Sequence, residues 1–344
     1  MVRRKRIGLM LWPAPGLDAD FARGRWAEQV GFDDVWLPDA EGMQDPIALA
    51  ATLAVATQRV RICTGVVPVF NRPAPILATS VSVIAHHAPG RFVLGLGSST
   101  GNMVERWYGV PFQRPLTHVR EYVQLLRQIF AGEKTAFSGT CLRSHGFRLQ
   151  TLPTPAVPLH LGAMGPRMLQ LAGELADGVV LNDFTPPDRL AFALEQLDIG
   201  AQRGGRRVED LEIVKRRAYI VTSNAVEHAA AREFFRRHFA FYASAPAYQA
   251  VMLQLGYAAA VAEIRAGYAA RDRARVTAAI SDDMVSRIFL FGSAEQCHAQ
   301  ARADYAAGID TLAMSPQADT AEAFASSAGV FAAATFNSEQ PARG

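Results

Sequence analysis

The chain has 344 residues, a formal net charge of +3 and 50% hydrophobic residues, which excludes a largely disordered protein and gives no reason to expect a nucleic-acid partner. Its three cysteines are widely spaced and form no metal-binding motif. No uninterrupted apolar run reaches the ~18 residues of a membrane-spanning helix, so we expect a globular cytoplasmic protein with no metal and no membrane partner.

The first part of the chain alternates short apolar runs with longer amphipathic segments, which is typical of strand–helix units. The strands are almost continuously hydrophobic, and this indicates parallel strands that are buried on both faces. We predict strands at Arg6–Leu11, Asp34–Leu37, Val60–Val66 and Phe92–Leu96, and helices at Ala19–Val30, Pro46–Ala56, Pro75–His86 and Leu116–Phe130.

The alternation continues after a polar, glycine-containing insertion at about 132–157. A second insertion, at about 225–283, is helical and rich in alanine, and its aromatic residues are expected to pack between helices, while some could cover a substrate pocket. We predict strands at Pro158–Gly162, Gly178–Leu181, Leu211–Val221 and Thr311–Met314, a brief apolar piece at Ile288–Phe291, and helices at Pro166–Leu175, Pro187–Arg203, Ala294–Ala307 and Thr320–Ala333, the last capped by Asp319.

Eight strand–helix units predict an α/β fold, a single (β/α)₈ TIM barrel over residues 1–344 that carries the two insertions. The competing architecture is a doubly wound open sheet, which would have a GxGxxG turn directly after its first strand. The segment Pro13–Gly16 is not such a turn. In a barrel of this kind the active site lies at the C-terminal ends of the strands, so the residues that follow each strand are the candidates.

Two carboxylates, Asp39 and Glu41, follow the second strand and are candidate catalytic residues. Either could hydrogen-bond a ring or carry a proton, because a closed pocket can raise the pKa of a carboxyl group. The alternative is that Asp39 or Asp45 only caps the next helix.

Asn182 follows the sixth strand, where a substrate could meet a cofactor, and is the third candidate catalytic residue. It is followed by Asp183 and Thr185, either of which could instead cap the helix that begins near Pro187. His160 lies within a predicted strand, and we interpret it as a packed residue.

Glycines and hydroxyl groups follow the third, fourth and fifth strands. A glycine permits a flat ligand to approach the backbone closely, and free N–H groups in turns on adjacent strands could bind one phosphate together. Each turn could equally use glycine for purely local reasons. The candidate cofactor-binding residues are Asp39, Thr64, Gly65, Val66, Ser98, Ser99, Gly162, Ala163, Met164, Gly165 and Pro166.

The order and spacing of several segments resemble the luciferase-like monooxygenase superfamily, and more narrowly its coenzyme F420-dependent oxidoreductases. The resemblance covers most of the chain, so it is more specific than any one glycine turn. The segments are EQVGFDDVWLPD at 28–39, TGV at 64–66, PGRFVLGLGS at 89–98, VERWYGVPF at 104–112, LGAMGPR at 161–167, ELADG at 174–178 and AGIDT at 307–311.

This resemblance implies a cofactor ring stacked over a bulge at Gly65–Val66, often with a non-prolyl cis peptide bond, and with Asp39 near the ring. It implies hydride transfer between the deazaflavin and a small organic substrate, in which the protein sets face and distance. The cofactor phosphate would meet backbone and hydroxyl groups of Ser98, Ser99, Met164 and Gly165.

The chain departs from several relatives at Ala40, where they carry a histidine that assists proton transfer, and at Thr100 or Gly101, where some carry an acidic residue. A sugar-phosphate dehydrogenase is therefore disfavoured. Two alternatives stay open: an FMN-dependent two-component monooxygenase that uses reduced flavin and oxygen, and a cofactor-binding homologue without activity. We also predict a homodimer, in which Pro46–Ala56 and Pro75–His86 could pair across subunits.

Overall fold

A computed structural model describes residues 3–12, 17–39, 44–318 and 320–336 of the chain. Within them, eight strands pair in parallel in chain order, β1, β2, β3, β5, β8, β9, β10 and β12, and β12 pairs with β1 to close a barrel. The predicted TIM barrel is confirmed and the open sheet is excluded. The strands are β1 (Arg6–Met10), β2 (Asp34–Leu37), β3 (Arg61–Thr64), β4 (Val67–Pro68), β5 (Phe92–Gly97), β6 (Ala136–Ser138), β7 (Arg143–His145), β8 (Leu159–Gly162), β9 (Gly178–Leu181), β10 (Glu212–Val221), β11 (Leu290–Gly292) and β12 (Thr311–Pro316).

Helices surround the barrel, and several of them begin at a proline, whose fixed φ and missing N–H suit the first helical turn. No helix of the described ranges is long and apolar enough to cross a membrane. The helices are α1 (Leu17–Gln29), α2 (Pro46–Ala56), α3 (Ala74–His87), α4 (Gly101–Arg106), α5 (Pro115–Phe130), α6 (Pro166–Leu175), α7 (Pro187–Arg203), α8 (Ala225–Tyr242), α9 (Pro246–Gln254), α10 (Ala258–Ala269), α11 (Arg273–Ala278), α12 (Asp282–Ile288), α13 (Ala294–Ala306), α14 (Ala321–Gly329) and α15 (Ala333–Phe336).

Several predicted elements differ from the structure by one or two residues at their ends, and two of the differences change an element. The third strand ends at Thr64 instead of Val66, and the chain resumes pairing as β4, which bonds to β5. The last predicted helix is divided into α14 and α15, and its N-cap is Thr320, whose hydroxyl accepts a bond from Ala323 N at 3.1 Å. The predicted cap, Asp319, lies outside the described residues.

The two predicted insertions differ in structure. The first contains the antiparallel hairpin β6–β7. The second contains α8 to α11, which pack with α12 around a second apolar cluster that includes Phe184 and Ala218 of the barrel. The division of the chain into one domain with two insertions stays a prediction.

Side chains that alternate along the strands fill the barrel in layers. The middle layer is apolar and sits between a charged layer at the N-terminal ends of the strands, here called the base, and a polar layer at their C-terminal ends, here called the mouth. The middle layer comprises Met10, Trp36, Cys63, Val93, Val180, Val214 and Ala313.

The base is a buried network of ion pairs centred on Arg61. Its guanidinium bonds Asp34 through Nε (2.9 Å) and Nη2 (2.8 Å), and Glu212 through Nη1 (2.8 Å) and Nη2 (2.6 Å). Arg6 also bonds Asp34, and Thr311 donates to Glu212 at 2.6 Å. Bidentate charge-assisted bonds compensate the burial of these charges, so the base seals one end of the barrel.

His160 lies in this base, and it is packed as predicted, with 1% of its surface exposed. Burial lowers the pKa of His160 to about 4, although the carboxylate of Glu212, 3.6 Å from its Nε2, acts in the opposite direction. The imidazole is therefore neutral near pH 7.

Candidate active site

The centre of the mouth is a backbone platform formed by Gly65 and Val66, between β3 and β4. Their peptide bond is cis, as the family resemblance implies. Both residues are partly exposed, whereas Thr64 and Val67 on either side are buried. Thr64 Oγ1 fixes the strand end, since it donates to Gly95 O at 2.9 Å and accepts from Gly95 N at 2.8 Å.

The middle layer supports this platform from below. A Cβ added to Gly65 would lie 3.2 Å from Cε3 of Trp36 and 3.3 Å from Cε of Met10. The glycine therefore lets the backbone rest directly on the indole ring, and a side chain at this position would point into the barrel.

The glycines of β5 and β8 make room for the platform as well. A Cβ on Gly95 would lie 2.0 Å from Thr64 O, and Cβ atoms on Gly97 and Gly162 would lie 2.6 and 3.1 Å from Cγ2 of Val66. Packing alone thus accounts for these glycines, including Gly162. Gly165 is different, because a Cβ there would meet nothing within 4 Å.

The two predicted phosphate-binding turns leave adjacent strands, since β5 pairs with β8. In the first turn Ser98 and Ser99 are partly exposed, and Ser99 has a left-handed φ of 59°. In the second turn Gly165 is the N-cap of α6, with no side-chain capping bond and with Pro166 at the first position. The backbone at this helix start can therefore receive an anion.

A buried cation that sequence reasoning missed, Arg189, lies against the second turn. Its Nη2 donates to Met164 O at 2.5 Å and its Nη1 to Phe184 O at 3.4 Å. Among the described residues its hydrogen-bond partners are carbonyl groups, and burial lowers its pKa to about 10. Arg189 is thus a positive charge that fixes the Ala163–Gly165 turn without a carboxylate of its own.

The two carboxylates Asp39 and Asp45, which follow β2, differ in whether they cap the next helix. Asp45 caps α2, because its Oδ1 accepts from Ile47 N (2.8 Å) and Ala48 N (3.0 Å). Among the described residues Asp39 makes no such cap and accepts from Arg72 Nη1 at 2.9 Å, while Arg72 Nη2 donates to Asp45 at 2.5 Å. Burial raises the pKa of Asp39 above its ordinary value, and Arg72 opposes only part of this effect.

Glu41, the other predicted carboxylate, and Ala40 lie outside the described residues, as does Pro13–Gly16. The role predicted for Glu41 therefore stays a prediction. No group of three or more metal-ligating side chains occurs within the ranges that the structure describes.

Asn182 lies at the end of β9 and faces the second insertion. Its Nδ2 is 3.0 Å from Met164 Sδ and 3.4 Å from the Tyr248 hydroxyl, and its Oδ1 accepts from Phe184 N at 3.1 Å. The N-cap of α7 is Pro186, which has no side-chain capping bond. The alternative that Asp183 or Thr185 caps this helix is therefore wrong.

Sequence reasoning also missed Arg216 of β10, which continues the inward row above Glu212 and Val214. Its Nη1 donates to the Tyr242 hydroxyl at 3.1 Å, and its Nε lies 3.5 Å from Asp183 Oδ2. The signal was the run Lys215-Arg216-Arg217 in a buried strand, where alternation turns the middle residue away from its two neighbours. Lys215 and Arg217 instead pair with Asp304, on α13 outside the barrel.

The closed parallel barrel, with a glycine platform and polar turns at the C-terminal ends of its strands, has the architecture of a TIM-barrel enzyme. Residues 10–311 match the family model described as luciferase-like monooxygenase. The chain belongs to this family.

The relatives connect the chain to F420-dependent proteins. It is 31% identical over 307 residues to a protein of Mycobacterium tuberculosis provisionally named a coenzyme F420-dependent oxidoreductase, covering 83% of this chain and 87% of that one. It is also 31% identical over 207 residues to the 5,10-methylenetetrahydromethanopterin reductase of Methanolobus tindarius, covering 60% of this chain. That match spans only 63% of the reductase.

One solved structure supports the fold. The coenzyme F420-dependent tetrahydromethanopterin reductase of Methanopyrus kandleri superposes with a TM-score of 0.79 at 18% identity, covering 96% of this chain and 97% of that one. At this identity the similarity concerns the architecture of the barrel.

Proposed function

We propose that the chain is a coenzyme F420-dependent oxidoreductase that transfers a hydride between the deazaflavin and a small organic substrate. The observation that carries the proposal is the Gly65–Val66 platform, whose partly exposed backbone rests on Trp36 and adjoins the strand end that bears Asp39. The F420-dependent name of the relative from Mycobacterium tuberculosis supports the choice of this cofactor over FMN.

The residues present fit such a cofactor. The platform offers a flat surface for the ring, and the turns at Ser98–Ser99 and Ala163–Gly165 offer backbone N–H and hydroxyl groups for a phosphate. Arg189 adds a buried positive charge behind the second turn. When bound, the deazaflavin would supply the hydride chemistry.

The protein's own contribution to the chemistry would come from Asp39 and Asn182. Asp39 is the carboxyl group nearest in sequence to the platform's neighbouring strand end, and its raised pKa suits a group that holds and releases a proton. Arg72 fixes its position through the 2.9 Å bond. Asn182, held between Met164 and Tyr248, would orient the substrate by its amide.

Titration with F420 and, separately, with reduced FMN under anaerobic conditions tests the proposal. We expect saturable binding of F420, followed by changes in its absorbance and fluorescence, and much weaker binding of FMN. Tight FMN binding without affinity for F420 would overturn the proposal and favour the flavin monooxygenase. Turnover of any substrate would exclude the homologue without activity.

We further propose a homodimer that pairs α2 and α3 across subunits. Val55, Ile76 and Val83 on these helices are 58%, 61% and 53% exposed. Light scattering should give a dimeric mass that the Ile76→Arg, Val83→Arg double substitution reduces to that of a monomer, while Val226→Arg, on the 80% exposed Val226 of α8, leaves it unchanged. A monomeric wild type would contradict the proposed dimer.

A cytoplasmic location stays a prediction from the sequence.

A further inference from the structure

Three arginines of the barrel interior and mouth differ in how many carboxylates they hold. Arg61 bonds both Asp34 and Glu212, and Arg72 bonds both Asp39 and Asp45. Arg216 approaches one carboxylate, Asp183, at 3.5 Å. A planar guanidinium presents donors on more than one edge and can hold two carboxylates at once, as the first two arginines show.

The unused donors of Arg216 are buried. Within the described residues, its Nε and Nη2 have no hydrogen-bond partner, and only 13% of the side chain is exposed. The Nε lies near Asp183, which is itself fixed by a 2.5 Å bond from Ala218 N. The edge formed by Nη1 and Nη2 therefore has donors that are not used, since Nη2 has no partner within the described residues and Nη1 makes one bond to Tyr242. A buried donor without an acceptor is unfavourable, so an acceptor from a ligand would be bound strongly.

Aromatic rings lie near the guanidinium group of Arg216. The guanidinium carbon lies 5.2 Å from the ring centroid of Trp12 at the end of β1. The ring of Tyr242 lies 4.9 Å from that of Tyr248, and both rings contact Phe184 at the end of β9. Such surfaces accept a flat apolar body whose acidic group reaches the arginine.

His238, on α8, completes these surroundings. Its ring lies 5.0 Å from Tyr242, and within the described part of the chain its Nε2 has no hydrogen-bond partner. Burial, followed by the charge of Arg216, lowers the pKa of His238 to about 4. The residue is therefore a neutral neighbour near pH 7 and adds no second cation.

We propose that Arg216 binds a carboxylate of the substrate through its Nη1 and Nη2 atoms, so that the enzyme acts on small ring-bearing carboxylic acids. The inference rests on the proposed function in so far as the bound acid is the substrate of the enzyme, but binding of the acid does not require F420. Asp183 and Tyr242 are positioning residues that orient the guanidinium, and the amide of Asn182 lies beside Tyr248 at the edge of the same site.

Calorimetric titration with sodium benzoate, and with benzyl alcohol as its uncharged counterpart, tests the proposal without turnover. We expect saturable benzoate binding that Arg216→Gln weakens at least about tenfold, because a bidentate charge-assisted contact is lost. Arg216→Lys should be intermediate, since it keeps the charge but loses the fork. Benzyl alcohol should bind equally to the wild type and both variants.

Arg237→Gln is the matched control, because Arg237 lies on α8 with its side chain 61% exposed and should leave benzoate binding unchanged. Equal benzoate affinity in the wild type and a folded Arg216→Gln variant would overturn the proposal. Should that variant not fold, wild-type crystals soaked in 4-bromobenzoate decide the matter. An anomalous bromine peak over the Trp12 and Tyr242 rings supports the site, and its absence there overturns it.

F420 titration of the same variants separates this inference from the proposed function. Unchanged F420 affinity in Arg216→Gln together with lost benzoate binding supports the carboxylate site. Lost F420 affinity with unchanged benzoate binding would assign Arg216 to the cofactor and overturn the inference. A wild type that binds benzoate through Arg216 but does not bind F420 would overturn the proposed function and leave the carboxylate site standing.

Discussion

The base and the mouth of the barrel contain the same types of charged residue, but the residues are paired differently. In the base, Arg61 is bonded on two edges by Asp34 and Glu212, and the charges are buried and paired. In the mouth, and among the described residues, Arg216 has donors without a hydrogen-bond partner and Arg189 donates to carbonyl groups. The paired charges of the base join neighbouring strands, whereas the unpaired donors of the mouth are the ones that we propose for a ligand. The proposed binding site therefore lies at the opposite end of the barrel from the buried ion pairs.

The largest effect on stability should come from the base. Arg61→Met leaves Asp34 and Glu212 as buried carboxylates with fewer partners, so we expect the free energy of unfolding to fall by about 3–5 kcal/mol. Urea denaturation measures it, with Arg143→Met on the exposed hairpin strand β7 as the control. A loss below about 1 kcal/mol would show that the base is not what stabilises the barrel.

The second effect is the dependence of stability on pH through His160. Its pKa in the folded chain, about 4, lies below the value of about 6.5 of an exposed histidine. The unfolded chain therefore takes up the proton first, and stability falls as the pH drops from about 6.5 to about 4, by a few kcal/mol. Denaturation of the wild type and His160→Gln across this range should show a shallower slope in the variant. Parallel slopes would contradict the buried neutral imidazole.

Features that depend on residues close together in the chain could be predicted from the sequence, whereas features that depend on distant residues could not. The bounds of β2, β9, α2, α6 and α7 were predicted correctly, because apolar runs and proline at helix starts are local signals. The bulge at Gly65–Val66 was expected from the family resemblance, whereas the apolar pattern alone extended the third strand to Val66.

The partners of the charged residues could not be predicted in this way. Asp34 and Arg61 appeared as ordinary strand residues, and the bond between Arg61 and Glu212 joins positions 151 residues apart in the chain. Arg216 needed the register of β10 against β9 and β12 before its direction was defined. Asp39 and Asp45 could be told apart only when the caps of α2 were known.

The third prediction concerns the contact between Gly97 of β5 and Val66 of the platform. A Cβ at Gly97 would lie 2.6 Å from Cγ2 of Val66, so Gly97→Ala should displace the platform and reduce the free energy of unfolding by about 1–3 kcal/mol. F420 affinity should fall with it, if the platform carries the ring. Gly329→Ala is the control, because a Cβ there meets nothing within 4 Å, and it should change neither quantity. A lower free energy of unfolding with unchanged F420 affinity would show that the deazaflavin ring does not bind on the platform.

The smallest expected effect is at Asp39 in the mouth. Since burial raises the pKa of Asp39 in the folded chain, the ionised carboxylate opposes folding at neutral pH, and this penalty is absent below the ordinary pKa of the group. Asp39→Asn should therefore increase the free energy of unfolding at pH 7 by less than about 1 kcal/mol, and the difference should disappear as the pH falls through the folded and then the ordinary pKa. Asp45→Asn is the informative counterpart, because the pKa of Asp45 is lowered, against the effect of burial, by its backbone bonds and Arg72. The Asp45→Asn substitution should lower the free energy of unfolding at pH 7. Opposite effects of the two substitutions, on two carboxylates that bond the same arginine, would show that the mouth holds Asp39 in an ionised form that opposes folding.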